Sequence, residues 1–334
     1  NLQAGVRTNS TLIGARFVFL TGDEVILRDL DVRGAWADEG YAGVEPPDGG
    51  CLSASGDAAI TVADSVFSQC RARMGGGAVS LGLGSNVWFN GVRFLNNSAP
   101  RGGAVLANMP ADVRMVNCEF SGNTADQGAA LYTTDTSSPA FFSCDFYAGS
   151  AIRGGAIATD GQSSPSFHDC AFVHNMADDG AVAFAEERST PSFANCTFQN
   201  NSAQRRGGVL FAAGTSIATI QSSWVFFNRA GAAAGVYSTT SRAVHVTDTV
   251  FGRNRARQGH KDLFPRTLLA QVFGDPNANN TACGGCGVFS GEEWGCVCAE
   301  PYRGVECEVT CPGFSADNGT VCSGHGVCGG VTAQ

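Results

Sequence analysis

A single lysine, Lys261, stands among the 21 basic residues of this 334-residue chain, and charged residues make up only 15% of it. With a formal net charge of −9, no basic stripe is present to neutralise phosphates, which excludes a nucleic-acid-binding role. No apolar run approaches the roughly 20 residues that a membrane-spanning helix needs, so no membrane insertion is expected of this segment. No stretch sustains a helical hydrophobic period, which excludes a helix bundle. The chain begins at Asn1 without an initiator methionine or a signal sequence, as expected of a processed or excerpted chain.

What is abundant is glycine, 44 residues, and phenylalanine, 22, and both recur on a fixed period. Phe67, Phe94, Phe120, Phe146, Phe172, Phe198, Val225 and Phe251 follow one another at 26 or 27 residues. Three positions after each stands Cys70, Asn97, Asn123, Gly149, Asn175, Asn201, Asn228 or Asn254, and five positions after each stands an alanine, Ala72 through Ala256. A small-residue turn follows, as in Gly102-Gly103-Ala104, Gly154-Gly155-Ala156 and Gly207-Gly208-Val209. A constant period of this length marks a repeat architecture.

Within each copy, apolar residues alternate with polar ones, the period of a strand, and Gly, Asn, Asp and Pro punctuate the strands. About 26 residues per unit suits one coil of three short strands, stacked on its neighbours at the ~4.8 Å spacing of parallel sheets. The fold class expected is all-β, a parallel β-helix, right-handed by the chirality of β-crossovers. The phenylalanines would stack inside as a ladder. The asparagines would tolerate a left-handed corner and bond to the coils above and below. Alanine would fit where the corner leaves space for a methyl alone.

Fourteen cysteines, eight of them after residue 280, point to an oxidising compartment. Cys51 takes the place of the turn alanine and Cys70 that of the corner asparagine one coil later, so a Cys51–Cys70 disulfide is expected. Cys118, Cys144, Cys170 and Cys196 recur at 26 residues, two before the phenylalanine. They are expected as a buried column of free thiols, since parallel Cβ vectors do not favour a disulfide and a linear stack does not converge on a tetrahedral metal. Asn-x-Ser/Thr sequons begin at Asn9, Asn96, Asn195, Asn200, Asn279 and Asn318, candidate glycosylation sites in a secreted protein. Asn195 and Asn200 are the two whose sequons could fall in sheet or ladder positions.

Seven positions after the phenylalanine the residues read Arg101, Gln127, Arg153, Asp179 and Arg205, with Asp126 and Asp178 adjacent. This reads as a charged row of alternating sign on an outer corner, each exposed pair contributing about 0–1 kcal/mol; a carbohydrate-binding row is the functional alternative. An enzyme would need a pair of acids, or an acid with a base, in a groove. The candidates are His168, Asp169, His174, Asp178 and Asp179. Asp169 precedes an inward cysteine, so it points out, and it aligns with Asn117, Ser143 and Asn195, which supply no second carboxylate. No catalytic, cofactor-binding or metal-binding residue is therefore assigned.

Phe94 to Ala104 (Phe-Leu-Asn-Asn-Ser-Ala-Pro-Arg-Gly-Gly-Ala) resembles the repeats of polymorphic outer-membrane proteins and related large surface proteins of protists and algae. The resemblance covers residues 60–257, about eight coils, and implies a right-handed β-helix used for adhesion or as a surface stalk. Cys296-Val297-Cys298 followed by Cys307, and Cys311 followed by Cys322-Ser323-Gly324-His325-Gly326-Val327-Cys328, resemble parts of two epidermal-growth-factor-like (EGF-like) modules. That resemblance implies disulfides Cys283–Cys296, Cys298–Cys307 and Cys311–Cys328, and leaves Cys286 and Cys322 unassigned. The expected organisation is a β-helix over 1–275, with irregular first coils over 1–59, regular repeats over 60–257 and a cap and linker over 258–282. EGF-like modules follow at 283–310 and, incomplete, at 311–334. Residues 16–20 and 25–32 read as strands of the first coils, and 36–50 as a loop outside them. In protists and algae such tandems resemble components of extracellular matrices or flagellar hairs (mastigonemes).

These readings converge on a non-catalytic extracellular structural protein, a rigid scaffold that assembles with itself or with other surface proteins. The alternatives are an adhesin binding glycans or a cell surface and, third, a polysaccharide lyase or hydrolase. An open aromatic patch would favour adhesion.

Overall fold

A computed structural model describes residues 5–14, 17–19, 24–37, 49–56, 59–240, 244–258 and 263–264, and the backbone of 287–290, 295–298, 302–303 and 309–310. The chain divides into two compact units, Asn1–Pro265 and Arg266–Gln334. In the second, Gly287–Ser290 pairs antiparallel with Gly295–Cys298, and Tyr302–Arg303 with Val309–Thr310. The side chains of Cys283, Cys296, Cys298, Cys307, Cys311 and Cys328, with Asn279 and Asn318, lie outside the described residues.

The first unit is a parallel β-helix of three sheets, with 18, ten and six strands, and the two-stranded pair Trp36–Ala37 and Arg71–Ala72 stands ahead of the third. One coil shows the plan. Strands Ala140–Phe142 and Asp145–Tyr147 form two limbs of the first sheet, Ser150–Arg153 lies in the third, and Ile157–Thr159 lies in the second. Ser143, Ala148, Gly154 and Gly161 mark the bends, with φ between 51° and 64°. Four left-handed residues per coil turn the chain through its circuit, which explains the recurrence of Gly, Asn and Asp at fixed offsets.

The aligned aromatic positions are register partners throughout, from Phe67↔Phe94 to Val225↔Phe251. The ladder begins earlier than the motif does, because Val32 pairs with Phe67 across the long first excursion. Ring centroids stack at 4.8 Å for Phe94–Phe120 and Phe120–Phe146, and at 4.6 Å for Phe146–Phe172. A second buried column, Phe89, Met115, Phe141, Phe167 and Phe193, runs beside it on the other limb. The two columns meet edge to face, as at Phe172–Phe193, 5.7 Å and 80°. Each buried ring contributes about 1.5–3 kcal/mol of burial, and each good aromatic pair about 0.5–1.5 more.

The asparagine column is buried at 0–4% exposure. Asn201 shows its bonding: its Nδ2 donates to the Phe172 carbonyl at 2.9 Å and to Asn228 Oδ1 at 3.0 Å, and its Oδ1 accepts from the backbone N–H of Asn175 at 2.9 Å. The left-handed corner expected of these asparagines belongs instead to the residue before each: Gln69, Asn96, Gly122, Ala148, His174, Asn200, Phe227 and Arg253. The bend must precede the ladder residue so that the latter's side chain turns inward. At Gly149 the column is broken, and a Cβ there would meet the Gly155 carbonyl oxygen at 2.3 Å.

Three further differences from the sequence reading appear at the edges. Gly5–Ile13 is a strand paired with Glu24–Arg33. Trp36–Ala37, expected in a loop, pairs with Arg71–Ala72 because the third sheet already begins there. Leu263–Phe264 adds a strand beside Val236–Ser238 within the expected cap.

Candidate functional site

The expected catalytic candidates are spread around the coil. His168 closes the first-sheet strand Ser166–His168 and stacks on Phe142 at 5.2 Å. Asp169 and His174 occupy two left-handed corners (φ 55° and 58°), and Asp178 and Asp179 end a strand of the third sheet. Asp169 accepts a hydrogen bond from Nδ2 of Asn195, its exposed neighbour one coil on. Among the described residues no group of three or more His, Cys, Asp or Glu side chains is suited to hold a metal.

The charged row exists, with two corrections: its acid Asp179 is buried, not exposed, and its partner differs. A one-residue insertion in Ser202–Arg206 shifts the register, so Asp179 faces Arg206, not Arg205. The Asp179 carboxylate is 2% exposed. It accepts two hydrogen bonds from Arg206, Nε and Nη2 both at 3.0 Å, and a contact from Arg205 Nη2 at 2.8 Å. That bond to Asp179 raises Arg206 above its ordinary range.

The arginines of this row also cap aromatic rings on the outer face of the second sheet. Arg101 lies over Tyr132 at 5.7 Å, Arg153 over Phe184 at 5.3 Å and Arg206 over Phe211 at 4.5 Å. Each is a cation–π contact within the effective range. The outward rings are thereby covered, with Tyr132, Phe184 and Phe211 between 3% and 6% exposed. The Tyr132 hydroxyl donates to Asp160 Oδ2, and burial, then that carboxylate, pushes the phenol well above its ordinary value. Burial likewise raises Glu186, against the pull of Arg153 at 3.9 Å.

Beside this stripe, the turns between the second and first sheets form a cleft of about 460 Å³ lined by Asp135, Thr136, Gly161, Gln162, Glu187, Arg188 and Thr215. The turns stack through backbone bonds such as Arg188 N–H to the Gly161 carbonyl, 2.9 Å. Each is closed by a buried serine: Ser163, Ser189 and Ser216 donate to the carbonyl three residues back at 2.8 Å. The sequence signal for this row is the recurrence of Ser137-Ser138-Pro139, Ser163-Ser164-Pro165 and Ser189-Thr190-Pro191. Carboxylate, guanidinium, amide and hydroxyl groups together match the donors and acceptors of a polyol.

Cys51 and Cys70 form a disulfide with Cα atoms 5.8 Å apart, tying the turn of one coil to the corner of the next. Cys118, Cys144, Cys170 and Cys196 are free and buried. Their thiols donate to the carbonyl two residues back, at 3.2–3.4 Å. Hydrogen bonding to the Cys144 sulfur (for Cys170, to that of Cys196 as well), then burial, drives Cys118 and Cys170 far above the usual thiol range, while the bonds from these two hold Cys144 well below it.

Asn96, Asn195 and Asn200 are exposed, each at a left-handed corner and not in a sheet or ladder position. Asn9 lies within the strand Gly5–Ile13. On the same limb as Asn195 and Asn200, but one coil on, sits an open aromatic patch. Trp224 (54% exposed) and Phe227 (39% exposed) flank Phe226, with centroids at 5.8 and 6.4 Å.

A family model described as a right handed beta helix region matches residues 47–251, more than half of the chain. No curated protein and no solved structure matches it.

Proposed function

The chain belongs to the right-handed β-helix family, and from that premise we propose that it is a non-catalytic extracellular scaffold, a stiff rod displayed on or secreted from a cell. The family's fold serves enzymes and structural or adhesive proteins alike, so the reading rests on this chain's own side chains. The observation that carries it is the use made of the charged row. Asp179, its best-buried acid, is neutralised by two arginines, and the other arginines cap aromatic rings. Groups spent on each other to seal a surface are not poised for proton transfer.

Stiffness follows from the ladders. Most coils repeat the same ring, amide and hydroxyl contacts, so bending the rod would break many at once. The cysteine-rich tail, read as EGF-like modules, joins the rod to further domains, and copies of the chain or other surface proteins are its partners. A filament, flagellar hair or matrix component is the assembly this reading favours.

Two observations favour a second reading, a glycan-binding adhesin: the cleft lined by Asp135, Gln162, Glu187 and Arg188, and the exposed aromatic patch of Trp224, Phe226 and Phe227. As a hydrolase site the same cleft is poorly built. Asp135 and Glu187 stand two coils apart, about 9–10 Å between backbones at the ~4.8 Å strand spacing, and the coil between them places Gly161 at that corner, so neither acid has a carboxylate at the equivalent corner of an adjacent coil.

The deciding experiment is the native size of the protein extracted without reductant, together with a polysaccharide-cleavage assay. Large polymers or covalent partners, with no cleavage, are expected. A free monomer that cleaves polysaccharide, and loses that activity in Asp169→Asn or Asp178→Asn, would overturn the scaffold reading.

A further inference from the structure

Phe227 occupies a conformation that its side chain disfavours. Its φ is +59°, in the corner column otherwise filled by Gln69, Asn96, Gly122, Ala148, His174, Asn200 and Arg253. A bulky residue at positive φ is a strained exception, and this one gains little burial in return, at 39% exposure. The Arg253 guanidinium, one coil on, lies over the Phe227 ring at 5.6 Å, and with Trp224 and Phe226 that ring makes a partly exposed aromatic face in the last described coils.

The coil beneath that face carries two sequons. Thr197 is the register partner of Trp224, and Gln199 of Phe226, so Asn200 stands one step below Phe227. The Asn200 backbone N–H donates to the Phe226 carbonyl at 3.3 Å. Asn195, at the other corner of the same strand, flanks the face from the opposite side.

The repeat itself separates carbohydrate acceptors from ladder amides. In Asn200-Asn201-Ser202 and Asn96-Asn97-Ser98 the first asparagine is exposed and has Ser two residues on. The second is buried and has the corner alanine there, Ala203 or Ala99, so it is no acceptor. Modification at the corner therefore leaves the ladder intact.

We propose that Asn200 carries an N-linked glycan whose first sugars lie on the Trp224–Phe226–Phe227 face, making that face a docking surface for the chain's own carbohydrate. The inference rests on the extracellular reading. The apolar C–H face and acetyl methyl of an N-acetylglucosamine bury against aromatic rings, with the hydroxyls left in water. One coil spacing, about 4.8 Å, separates the acceptor corner from the platform, within reach of the first sugars. Asn96 is the internal control: its neighbour one coil on is Gly122, which offers no ring.

The test uses the full chain secreted from a eukaryotic host. Glycopeptide mass mapping reads occupancy at Asn96, Asn195 and Asn200, and hydroxyl-radical footprinting reads oxidation at Trp224 and Phe227. Asn200 is expected to be occupied. Oxidation of the patch should rise severalfold when a peptide N-glycosidase strips the folded protein, and equally in Asn200→Gln, while Trp88 and the Asn96→Gln variant show no such change. Asn96 occupied with Asn200 bare would sink this inference alone. So would an occupied Asn200 whose removal leaves Trp224 and Phe227 unchanged. Absence of glycan from every asparagine of the secreted chain would sink the glycoprotein reading along with it.

Discussion

Arg206 holds Asp179 through two parallel hydrogen bonds of 3.0 Å, and the acid is buried while the base is partly open to solvent. The pair is therefore asymmetric. Truncating Arg206 leaves a buried carboxylate with Arg205 as its remaining partner, whereas truncating Asp179 leaves a guanidinium that can swing into water. Arg206→Ala should cost about 2–4 kcal/mol and Asp179→Asn less. In the Asp179→Asn background the Arg206→Ala penalty should shrink sharply. Urea unfolding of the four proteins of this cycle checks it.

Asn201→Ala removes two donated and two accepted hydrogen bonds from a column with no access to water. Loss of about 2–4 kcal/mol is expected, since orphaned buried groups lose their full pairing energy. Filling the gap in the same column should not help. Gly149→Asn is expected to destabilise, because its Cβ would meet the Gly155 carbonyl oxygen at 2.3 Å. Thermal midpoints of both variants would show it, and a stabilised Gly149→Asn would contradict the packing described.

Tyr132 ties alkaline stability to the capped stripe. Burial and the Asp160 carboxylate raise its folded value, so the protonated phenol favours the folded state. Its contribution is full below the unfolded tyrosine value, about 10, and is lost as pH rises from there through the folded value. The urea midpoint should fall above about pH 10. Tyr132→Phe should be less stable at neutral pH and lose that part of the alkaline decline.

The four-thiol column should be chemically silent in the folded protein. Cys118, Cys144, Cys170 and Cys196 are no more than 2% exposed, and a reagent must reach a thiol to react with it. A chromogenic thiol reagent should react with these four after denaturation only. Rapid modification of Cys118 or Cys170 in the native state would contradict the packing described.

Gly207 tests the turn glycines. Its φ is +66°, and a Cβ there would lie 2.3 Å from the Leu210 carbonyl oxygen. Gly207→Ala should cost about 1–2 kcal/mol or more, read as a lowered thermal midpoint. Ala233 fills the equivalent place one coil on, at φ +50°, so that turn is the column's strained member.

The coil register was legible because stacking in a parallel helix brings each residue over its equivalent, so counting residues between phenylalanines is counting partners. Phe94 and Phe120 are neighbours for that reason. The Cys51–Cys70 link was legible by the same counting. The second aromatic column was harder to see, since Met115 interrupts its phenylalanines and Val62 stands where they would begin. The serine row that shapes the cleft was hidden because serine in a turn is unremarkable until its hydroxyl is seen buried and donating.

The sequence by itself determined the period, the strand character, the inward ladders and the small-residue turns, because each is a local constraint repeated until it becomes a pattern. Tertiary structure alone decided which side chains meet across coils. One inserted residue moved the acid's partner from Arg205 to Arg206, and the bend fell one residue before the ladder asparagine. Arginines of one sheet closed over rings of another, and Phe227 was left strained and partly exposed above Asn200, with Arg253 over its ring. Those outcomes depend on distances between coils and on the angle between sheets, quantities that a one-dimensional pattern does not contain.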